Sequence, residues 1–323
     1  PEPDMLISLV VPIYNEQSAL SGFWQNLEQC LAGADTHFEA VLIDDGSTDN
    51  SWRTINTLAN NSAIPIKAIR FSRNFGKEAA ILAGLRAATG RAAVVMDADL
   101  QHPPALIPQM IEHWQSGKIK VVEAVKRKRQ DESSIRRLGA RLYYRLFNLS
   151  SGMKLDGASD FKLLDREAID QYIALPEVGR YFRGLTTWLG FESIAIEFDP
   201  PSRNAGESHW GVGHLLRLAR TTIISFSSLP LRIVTWFGFA GLVFSLGLTI
   251  QTLWYKWQGY AEAGFPTVIL LILVMGSMIL LGLGLIGEYI AEIYREVKRR
   301  PIYIIAQSLP PRGEIDDTDS KQG

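Results

Sequence analysis

The sharpest chemical signal in the sequence is a pair of carboxylates that flank one small residue. Asp97, Ala98 and Asp99 follow an apolar run that ends at Met96, and Gln101 comes shortly after them. Carboxylate oxygens are the hard ligands that Mg²⁺ or Mn²⁺ prefers, and such an ion keeps positions open for water and substrate phosphates. The pattern therefore predicts a divalent-metal site that binds a diphosphate group.

Two other nucleotide-binding signatures are missing or misplaced. The sequence contains no GxxxxGK[ST] segment, which argues against a P-loop protein. One GxGxxG segment runs from Gly282 to Gly287, but it lies inside an apolar stretch and opens no strand–turn–helix unit. Close packing of helices accounts for these glycines better than a dinucleotide site does.

The elements that must position the carboxylates alternate between strand-like and helix-like patterns. Apolar runs typical of buried parallel strands occur at Leu6–Ile13, Ala40–Ile43, Ile66–Phe71 and Ala92–Met96. Helical patterns separate them at residues 15–32, 51–58 and 78–88. This alternation predicts an α/β fold with a doubly wound sheet, whose ligands bind at the carboxyl ends of the strands. Asp44 and Asp45 end the second strand, so we expect them near Asp97 and Asp99.

Two long uncharged stretches set the C-terminal third apart. The 23 residues between Arg232 and Lys256 and the 25 residues between Glu262 and Glu288 carry no charge. At a rise of about 1.5 Å per residue, each is long enough to cross a hydrocarbon core of about 30 Å. The sequence therefore predicts two membrane helices within residues 233–290.

The flanking charges predict how these helices are oriented. Basic residues crowd the outer ends of both stretches: Arg217, Arg220, Arg232, Arg295, Lys298, Arg299 and Arg300. The connecting loop holds one lysine and one glutamate. By the positive-inside rule, we expect both termini and the N-terminal domain to be cytoplasmic. Amphipathic patterns at residues 133–150 and 212–232 further predict helices that lie in the membrane interface.

Composition excludes several other classes of protein. A lone cysteine, Cys30, cannot build a disulfide framework or a cysteine-based zinc site. A hydrophobic content of 47% with a net charge of −1 excludes disorder for most of the chain. We predict no nucleic-acid partner.

Several segments together resemble a known family, in its order and at plausible distances. They are VVPIYNE (10–16), IDDGSTD (43–49), DADLQHPP (97–104), SDFKLLDR (159–166), RNAGESHW (203–210) and LGLIGEYIAEIYREVKRRPIY (283–303). The chain resembles, over nearly its whole length, the inverting GT-A glycosyltransferases of family 2, in the polyprenyl-phosphate branch. That branch includes dolichol-phosphate mannose synthase and the bactoprenol glucosyltransferases, and the bacterial members with two C-terminal spans are the most similar.

The resemblance implies roles for the matching positions. The nucleotide sugar would be bound by Pro12, Tyr14, Glu16, Asp44, Asp45, Asp97, Ala98 and Gln101. The metal ion would be held by Asp97, Asp99 and Gln101. Asp160 matches the catalytic base, although it would do less as a base where the acceptor is already a dianion. The donor and acceptor phosphates would meet Arg127, Arg129, Arg203 and His209. The family usually has lysine at the last position, and histidine is a weaker, pH-dependent partner of phosphate.

The implied activity is inverting, metal-dependent transfer of one sugar from a UDP-sugar to a polyprenyl phosphate at the cytoplasmic membrane face. Glucose is the first choice, with mannose, galactose and aminoarabinose-type donors open, and related enzymes suggest a homo-oligomer. The expected organisation is a GT-A domain (1–211), an interfacial helix (212–232), the two spans (233–290) and a cytoplasmic tail (291–323).

Two alternatives have distinct requirements. A processive polysaccharide synthase would need more spans and usually a Gln-x-x-Arg-Trp segment, which the sequence lacks. A non-catalytic membrane binding module would have no need of a metal site.

Overall fold

The computed structural model describes residues 5–34, 36–99, 101–127, 159–198, 229–259 and 265–311. The chain divides into two units. The first comprises Pro1–Tyr144, Met153–His209 and Arg300–Gly323, and the second comprises Arg145–Gly152 and Trp210–Arg299. Both predicted interfacial segments lie outside the described residues, apart from the last few residues of the second.

The first unit is built on a mixed sheet, in which eight strands are described, in the order β7-β5-β6-β4-β1-β2-β3-β8. Its strands are β1 (Leu6–Ile13), β2 (His37–Asp44), β3 (Ile66–Phe71), β4 (Ala92–Val95), β5 (Val121–Lys126), β6 (Lys162–Asp165), β7 (Ser193–Phe198) and β8 (Ile305–Leu309). Its helices are α1 (Gln17–Leu31), α2 (Ser51–Asn61), α3 (Lys77–Ala87), α4 (Ile107–Gln115), α5 (Arg166–Ala174) and α6 (Phe182–Trp188), with a 3₁₀ turn at Pro104–Leu106.

The centre of the sheet is parallel, and this confirms the predicted α/β fold. Strands β3, β2, β1 and β4 run in one direction, and the register pairs Ile13 at the end of β1 with Asp44 at the end of β2. Strands β6 and β8 run antiparallel to their neighbours, so the whole sheet is mixed. Because the parallel strands end at one edge, the loops that follow them meet there.

Helix α3 packs tightly on the parallel strands because its inner residues are small. Ala79, Ala80, Ala83 and Gly84 are all buried. A Cβ atom on Gly84 would overlap the side chain of Val10 and would lie 2.7 Å from Cδ1 of Ile43. The absence of a side chain at position 84 therefore sets how closely this helix approaches β1 and β2.

Strand β8 attaches the C-terminal segment to the far edge of the sheet. It pairs antiparallel with β3, with Ser308 opposite Ile69. Just before it, the ring of Tyr303 stacks on Phe71 at 4.9 Å, and the Arg86 guanidinium lies 5.8 Å from the Tyr303 ring. The sequence led us to expect a tail at residues 291–323, and this part of it is a strand instead. A five-residue strand with mostly exposed side chains leaves little signal in a sequence.

The second unit contains two long apolar helices, α7 (Leu229–Trp257) and α8 (Phe265–Val297). Within them, Trp236–Trp257 and Val274–Val297 are long and apolar enough to cross a membrane, as predicted. Hardly any of this surface is buried, and Leu281 is 74% exposed, which is unlike the core helix of a soluble protein.

Small residues lie where the two helices of the second unit touch. A Cβ atom on Gly282 would lie 3.3 Å from the side chain of Val234. A Cβ atom on Gly241 would lie 3.8 Å from Met278. Gly282, the first glycine of the GxGxxG segment, therefore serves helix packing, as expected from the sequence.

The packing of α3 predicts the effect of one added methyl group. We expect Gly84→Ala to lower the free energy of unfolding by about 1–3 kcal/mol, because the methyl group overlaps β1. Gly22→Ala on α1 is the matched control, since nothing lies within 4 Å of a Cβ there. The control substitution should leave the free energy of unfolding unchanged or raise it by up to about 1 kcal/mol. Thermal unfolding of the detergent-solubilised chain measures both, and equal effects would contradict the packing argument.

Candidate active site

A cavity of about 290 Å³ opens at the carboxyl ends of the parallel strands. It is lined by the ends of β1 and β4 and by the loops that follow β2 and β3. Its lining residues are Pro12, Ile13, Tyr14, Glu16, Asp45, Asn74, Gly76, Lys77, Ala80, Asp97, Ala98 and Asp99. Most residues predicted to bind the nucleotide sugar are thus brought together. Asp44 and Gln101 do not line the cavity.

The two aspartates after β2 differ in their surroundings. Asp44 is fully buried, accepts a hydrogen bond from the Ser47 backbone N–H at 2.9 Å and pairs with Arg70 at 3.2 Å. It therefore holds the turn together. Asp45 accepts hydrogen bonds from the backbone N–H groups of Phe75 and Gly76, at 2.7 and 2.9 Å. Burial nevertheless raises the pKa of Asp45.

These bonds need a close approach between two loops, which Gly46 permits. Its φ of +69° is in the left-handed region, and a Cβ there would lie 2.7 Å from the Cα of Arg73. The loops after β2 and β3 are therefore joined into one wall of the cavity.

Three carboxylates gather at the opposite side of the cavity. Burial and the negative charges of Asp99 and Asp97 raise the pKa of Glu16. Asp99 is exposed, and one of its oxygens accepts a hydrogen bond from the Gln101 backbone N–H at 3.0 Å. The backbone N–H of Asp97 donates to Nδ1 of the buried His102 at 3.0 Å. The turn after β4 is thus fixed by its own side chains.

Asp160 is linked to this carboxylate group through Lys77. The Lys77 ammonium lies 2.5 Å from one oxygen of Asp97 and 2.7 Å from Oδ2 of Asp160. Asp160 also accepts two hydrogen bonds from Arg183, at 2.7 Å to Oδ1 and at 2.8 Å to Oδ2. The result is a row of alternating charges: Asp97, Lys77, Asp160 and Arg183.

This row changes the acidity of its members. Burial would raise the pKa of Asp160, but the hydrogen bonds and positive charges of Arg183 and Lys77 outweigh burial and hold that pKa well below its usual range. The carboxylates of Asp97 and Asp160 likewise raise the pKa of Lys77 against the effect of burial. Asp160 is therefore a stable carboxylate and a weak proton acceptor.

Glu78 joins the two segments that carry the cations. Its Oε2 accepts a hydrogen bond from the backbone N–H of Phe182 at 2.7 Å, which ties the start of α3 to the start of α6. Burial and the negative charge of Asp160 raise the pKa of Glu78 to about 7. The carboxyl group of Glu78 therefore titrates near neutral pH.

Sequence comparison identifies the family to which this site belongs. Residues 8–173 match the profile of Glycosyl transferase family 2. The chain belongs to glycosyltransferase family 2. It is therefore a glycosyltransferase enzyme, as the resemblance implied.

Relatives match this glycosyltransferase over almost its whole length. The SfII prophage-derived bactoprenol glucosyl transferase of Shigella flexneri is 38% identical over 312 residues, 94% of this chain and 98% of that protein. The prophage bactoprenol glucosyl transferase homolog of Escherichia coli (strain K12) is 36% identical over 309 residues, 93% and 98% of the two chains.

The similarity to solved structures is weaker. Glucosyl-3-phosphoglycerate synthase from Mycobacterium tuberculosis, in complex with Mn²⁺, UDP-glucose and phosphoglyceric acid, has a TM-score of 0.45 and 19% identity. The match covers 68% of this chain and 78% of that one. The assignment of this glycosyltransferase to its family rests on the sequence comparisons.

The predicted phosphate contacts lie apart from the lining of this glycosyltransferase's cavity or outside the described residues. Arg127 follows β5, where its guanidinium lies 3.5 Å from the Glu197 carboxylate and is largely exposed. Arg129, Arg203 and His209 lie outside the described residues, so their roles remain predictions.

Sequence reasoning missed Lys77, Glu78 and Arg183. None of them falls in a segment that carried the family resemblance. The only local signal is the position of Lys77 and Glu78, which open a helix directly after Gly76, at the end of the loop that follows β3. Arg183 gives no such signal.

The raised pKa of Glu78 predicts how stability depends on pH. Its pKa lies above the ordinary 4.5, so its contribution to stability is full below about 4.5 and is lost as pH rises through about 7. Glu78→Gln cannot ionise, and its thermal midpoint should rise relative to that of the parent chain between pH 5 and pH 8. Glu112→Gln, at an exposed position of α4, is the control for charge. A pH-independent difference for Glu78→Gln would show that Glu78 does not titrate in this range.

Proposed function

We propose that this enzyme transfers one sugar from a UDP-sugar, with glucose the first choice, to a polyprenyl phosphate with inversion at the anomeric carbon. The observation that carries the proposal is the row of alternating charges from Asp97 to Arg183, which begins at the cavity wall. The relatives, named bactoprenol glucosyl transferases, support glucose and a polyprenyl acceptor.

The donor occupies the cavity in this proposal. Asp45 and the exposed ring of Tyr14 offer a hydrogen-bond acceptor and a flat apolar face to the base and ribose. Pro12, Glu16 and Ala98 complete the wall. The diphosphate lies toward Asp97 and Asp99. Gln101 and Asp44 serve the site indirectly, through the turns after β4 and β2.

A divalent cation fits the carboxylates of Asp97 and Asp99. Among the described residues, no group of three or more His, Cys, Asp or Glu side chains is placed to hold a metal ion. Mg²⁺ commonly binds through one or two carboxylates and takes its other ligands from water and substrate phosphates. The crowding that raises the pKa of Glu16 is the kind of repulsion that a cation relieves. When bound, Mg²⁺ or Mn²⁺ neutralises charge on the departing UDP.

The acceptor phosphate attacks the anomeric carbon from the face opposite UDP. An oxygen of the phosphomonoester forms the new bond to carbon, the bond from carbon to the diphosphate oxygen breaks, and UDP leaves with that electron pair. A phosphomonoester loses its second proton near pH 6, so most of the acceptor needs no base at neutral pH. With its low pKa, Asp160 contributes by orienting charged groups rather than by taking a proton.

The proposed arrangement in the membrane is the one that the sequence predicts. The helices α7 and α8 anchor the chain in the bacterial inner membrane, with both termini in the cytoplasm. The interfacial segments at 133–150 and 212–232 lie along the bilayer. Positive charge for binding phosphates comes from Arg127, Arg129, Arg203 and His209. The enzyme forms a homo-oligomer in this proposal.

The first experiment tests the reaction itself. The purified full-length chain is incubated with undecaprenyl phosphate in vesicles, Mg²⁺ and a panel of radiolabelled nucleotide sugars. We expect one lipid carrying one sugar, formed fastest from UDP-glucose and abolished by EDTA. Asp99→Asn should also abolish it, whereas the matched control Asp170→Asn, on the exposed face of α5, should not. Long polymers would indicate a processive synthase, and no product from any donor would indicate a binding module.

The second prediction separates orientation from proton transfer at Asp160. We expect Asp160→Asn to lower turnover at least about 10²-fold. The ratio of the turnover of the variant to that of the parent chain should stay constant from pH 6 to pH 8.5. The reason is that the dianionic acceptor needs no base. Recovery of the variant toward the parent rate as pH rises would make Asp160 a base. A large loss of UDP affinity, measured by calorimetry, would place the residue in the donor site instead.

A further inference from the structure

We infer that Lys77 and Arg183 form the binding site for the acceptor's phosphomonoester group, with Asp160 as the carboxylate that holds both cations in place. This inference rests on the proposed function and assigns its acceptor subsite. Neither Lys77 nor Arg183 lies in a segment that carried the family resemblance.

The order of the ion pairs separates this site from the donor diphosphate. Asp97 lines the cavity beside Asp99, and Lys77 bridges Asp97 to Asp160. Arg183 binds both oxygens of Asp160 and shares Oδ2 with Lys77. A donor diphosphate at Asp97 and Asp99 therefore lies at one end of the row. A phosphate bound by Lys77 and Arg183 lies further along it, where a second substrate is needed.

The charges around Asp160 favour an anion. Lys77 and Arg183 balance the negative charges of Asp97 and Asp160, so the row of four is neutral as it stands. When a divalent cation pairs with Asp97, as proposed above, Lys77, Asp160 and Arg183 are left with a net positive charge. A phosphomonoester has a charge between about −1.5 and −2 at neutral pH. Arginine and lysine are the side chains that bind such groups, through charge-assisted hydrogen bonds.

Both cations remain accessible although Asp160 is buried. Their side chains are 38% and 35% exposed, for Lys77 and Arg183, whereas that of Asp160 is 9% exposed. The Lys77 ammonium has three N–H donors and lies within 2.8 Å of both Asp97 oxygens and of Oδ2 of Asp160. Lys77 also lines the cavity. A ligand can therefore reach the cations without displacing Asp160.

Two further contacts fix α6, which carries Arg183. Glu78 accepts the hydrogen bond from the Phe182 backbone N–H at its first residue. The buried Lys162 donates to the Thr186 hydroxyl at 2.8 Å one turn later. Arg183 lies between these contacts, so its guanidinium is positioned before any substrate arrives. Such preorganisation lowers the entropic cost of binding.

The test measures binding of a soluble phosphomonoester apart from turnover. Geranyl phosphate, geraniol and inorganic phosphate are titrated by calorimetry into the purified full-length chain and into Arg183→Gln, Lys77→Gln and Arg86→Gln. Arg86 is the matched control, since it lies on α3 like Lys77 but outside the cavity lining. We expect geranyl phosphate to bind roughly 10- to 100-fold more weakly to both site variants and unchanged to the control, which is the usual cost of losing a charge-assisted hydrogen bond.

Three further measurements keep the outcome decisive. For Arg183→Gln, UDP affinity within about twofold of the parent value shows that the variant is folded with its donor site intact. Lys77 also lines the donor cavity, so the folding of Lys77→Gln is checked by circular dichroism instead. Arg183→Lys keeps the charge and should recover part of the affinity. The KM for undecaprenyl phosphate should rise with the dissociation constant for geranyl phosphate. Weaker binding of geraniol than of geranyl phosphate assigns recognition to the phosphate. Weaker binding of inorganic phosphate than of geranyl phosphate assigns the remaining affinity to the lipid chain.

The results can separate this inference from the proposed function. If the parent chain makes the lipid-linked sugar but all variants bind geranyl phosphate equally, the inference is overturned and the function stands. If no sugar is transferred yet geranyl phosphate binding depends on Lys77 and Arg183, the phosphate site stands and the function is overturned. If the parent chain does not bind geranyl phosphate, the site is rejected.

Discussion

The buried carboxylate of Asp160 lies between the Lys77 ammonium and the Arg183 guanidinium, and the arrangement of the site depends on these contacts. An unpaired carboxylate at this depth would cost several kcal/mol, so Asp160 depends on both cations. The contacts join α3, the segment before β6 and α6. Through Lys77 they extend to Asp97 at the end of β4. One ionic group thus connects two helices to the neighbouring ends of β4 and β6, which are paired in the sheet.

The parallel half of the sheet could be predicted from the sequence because its signals are local. Strands β1 to β4 are apolar runs, and the carboxylates that follow them stand at fixed places beside those runs. The cavity therefore contains Pro12, Tyr14, Asp45 and Asp97 as expected. What no local pattern shows is which cations approach these carboxylates. Lys77 and Asp160 are 83 positions apart, and only the tertiary fold brings them to hydrogen-bond distance.

The same reasoning accounts for the elements that were missed. Helix α6 has seven residues and β6 has four, too short for a clear period. Both were outside the predicted set, although one carries Arg183 and the other follows Asp160. The two long helices were easier to predict because an uncharged run of more than 20 residues is rare outside membrane-spanning segments. Long elements are therefore easier to predict from the sequence than short ones, although short elements position important residues of the site.

Strand β8 has a consequence for the order in which the protein is made. It completes the β3 edge of the sheet, yet it follows both apolar helices in the chain. During synthesis, β3 therefore keeps a row of unpaired backbone groups until α7 and α8 have left the ribosome. An exposed edge of this kind can pair with other chains. The N-terminal sheet can therefore be completed only after both apolar helices have been synthesised. A chain that ends after α8 would have a sheet whose β3 edge is unpaired.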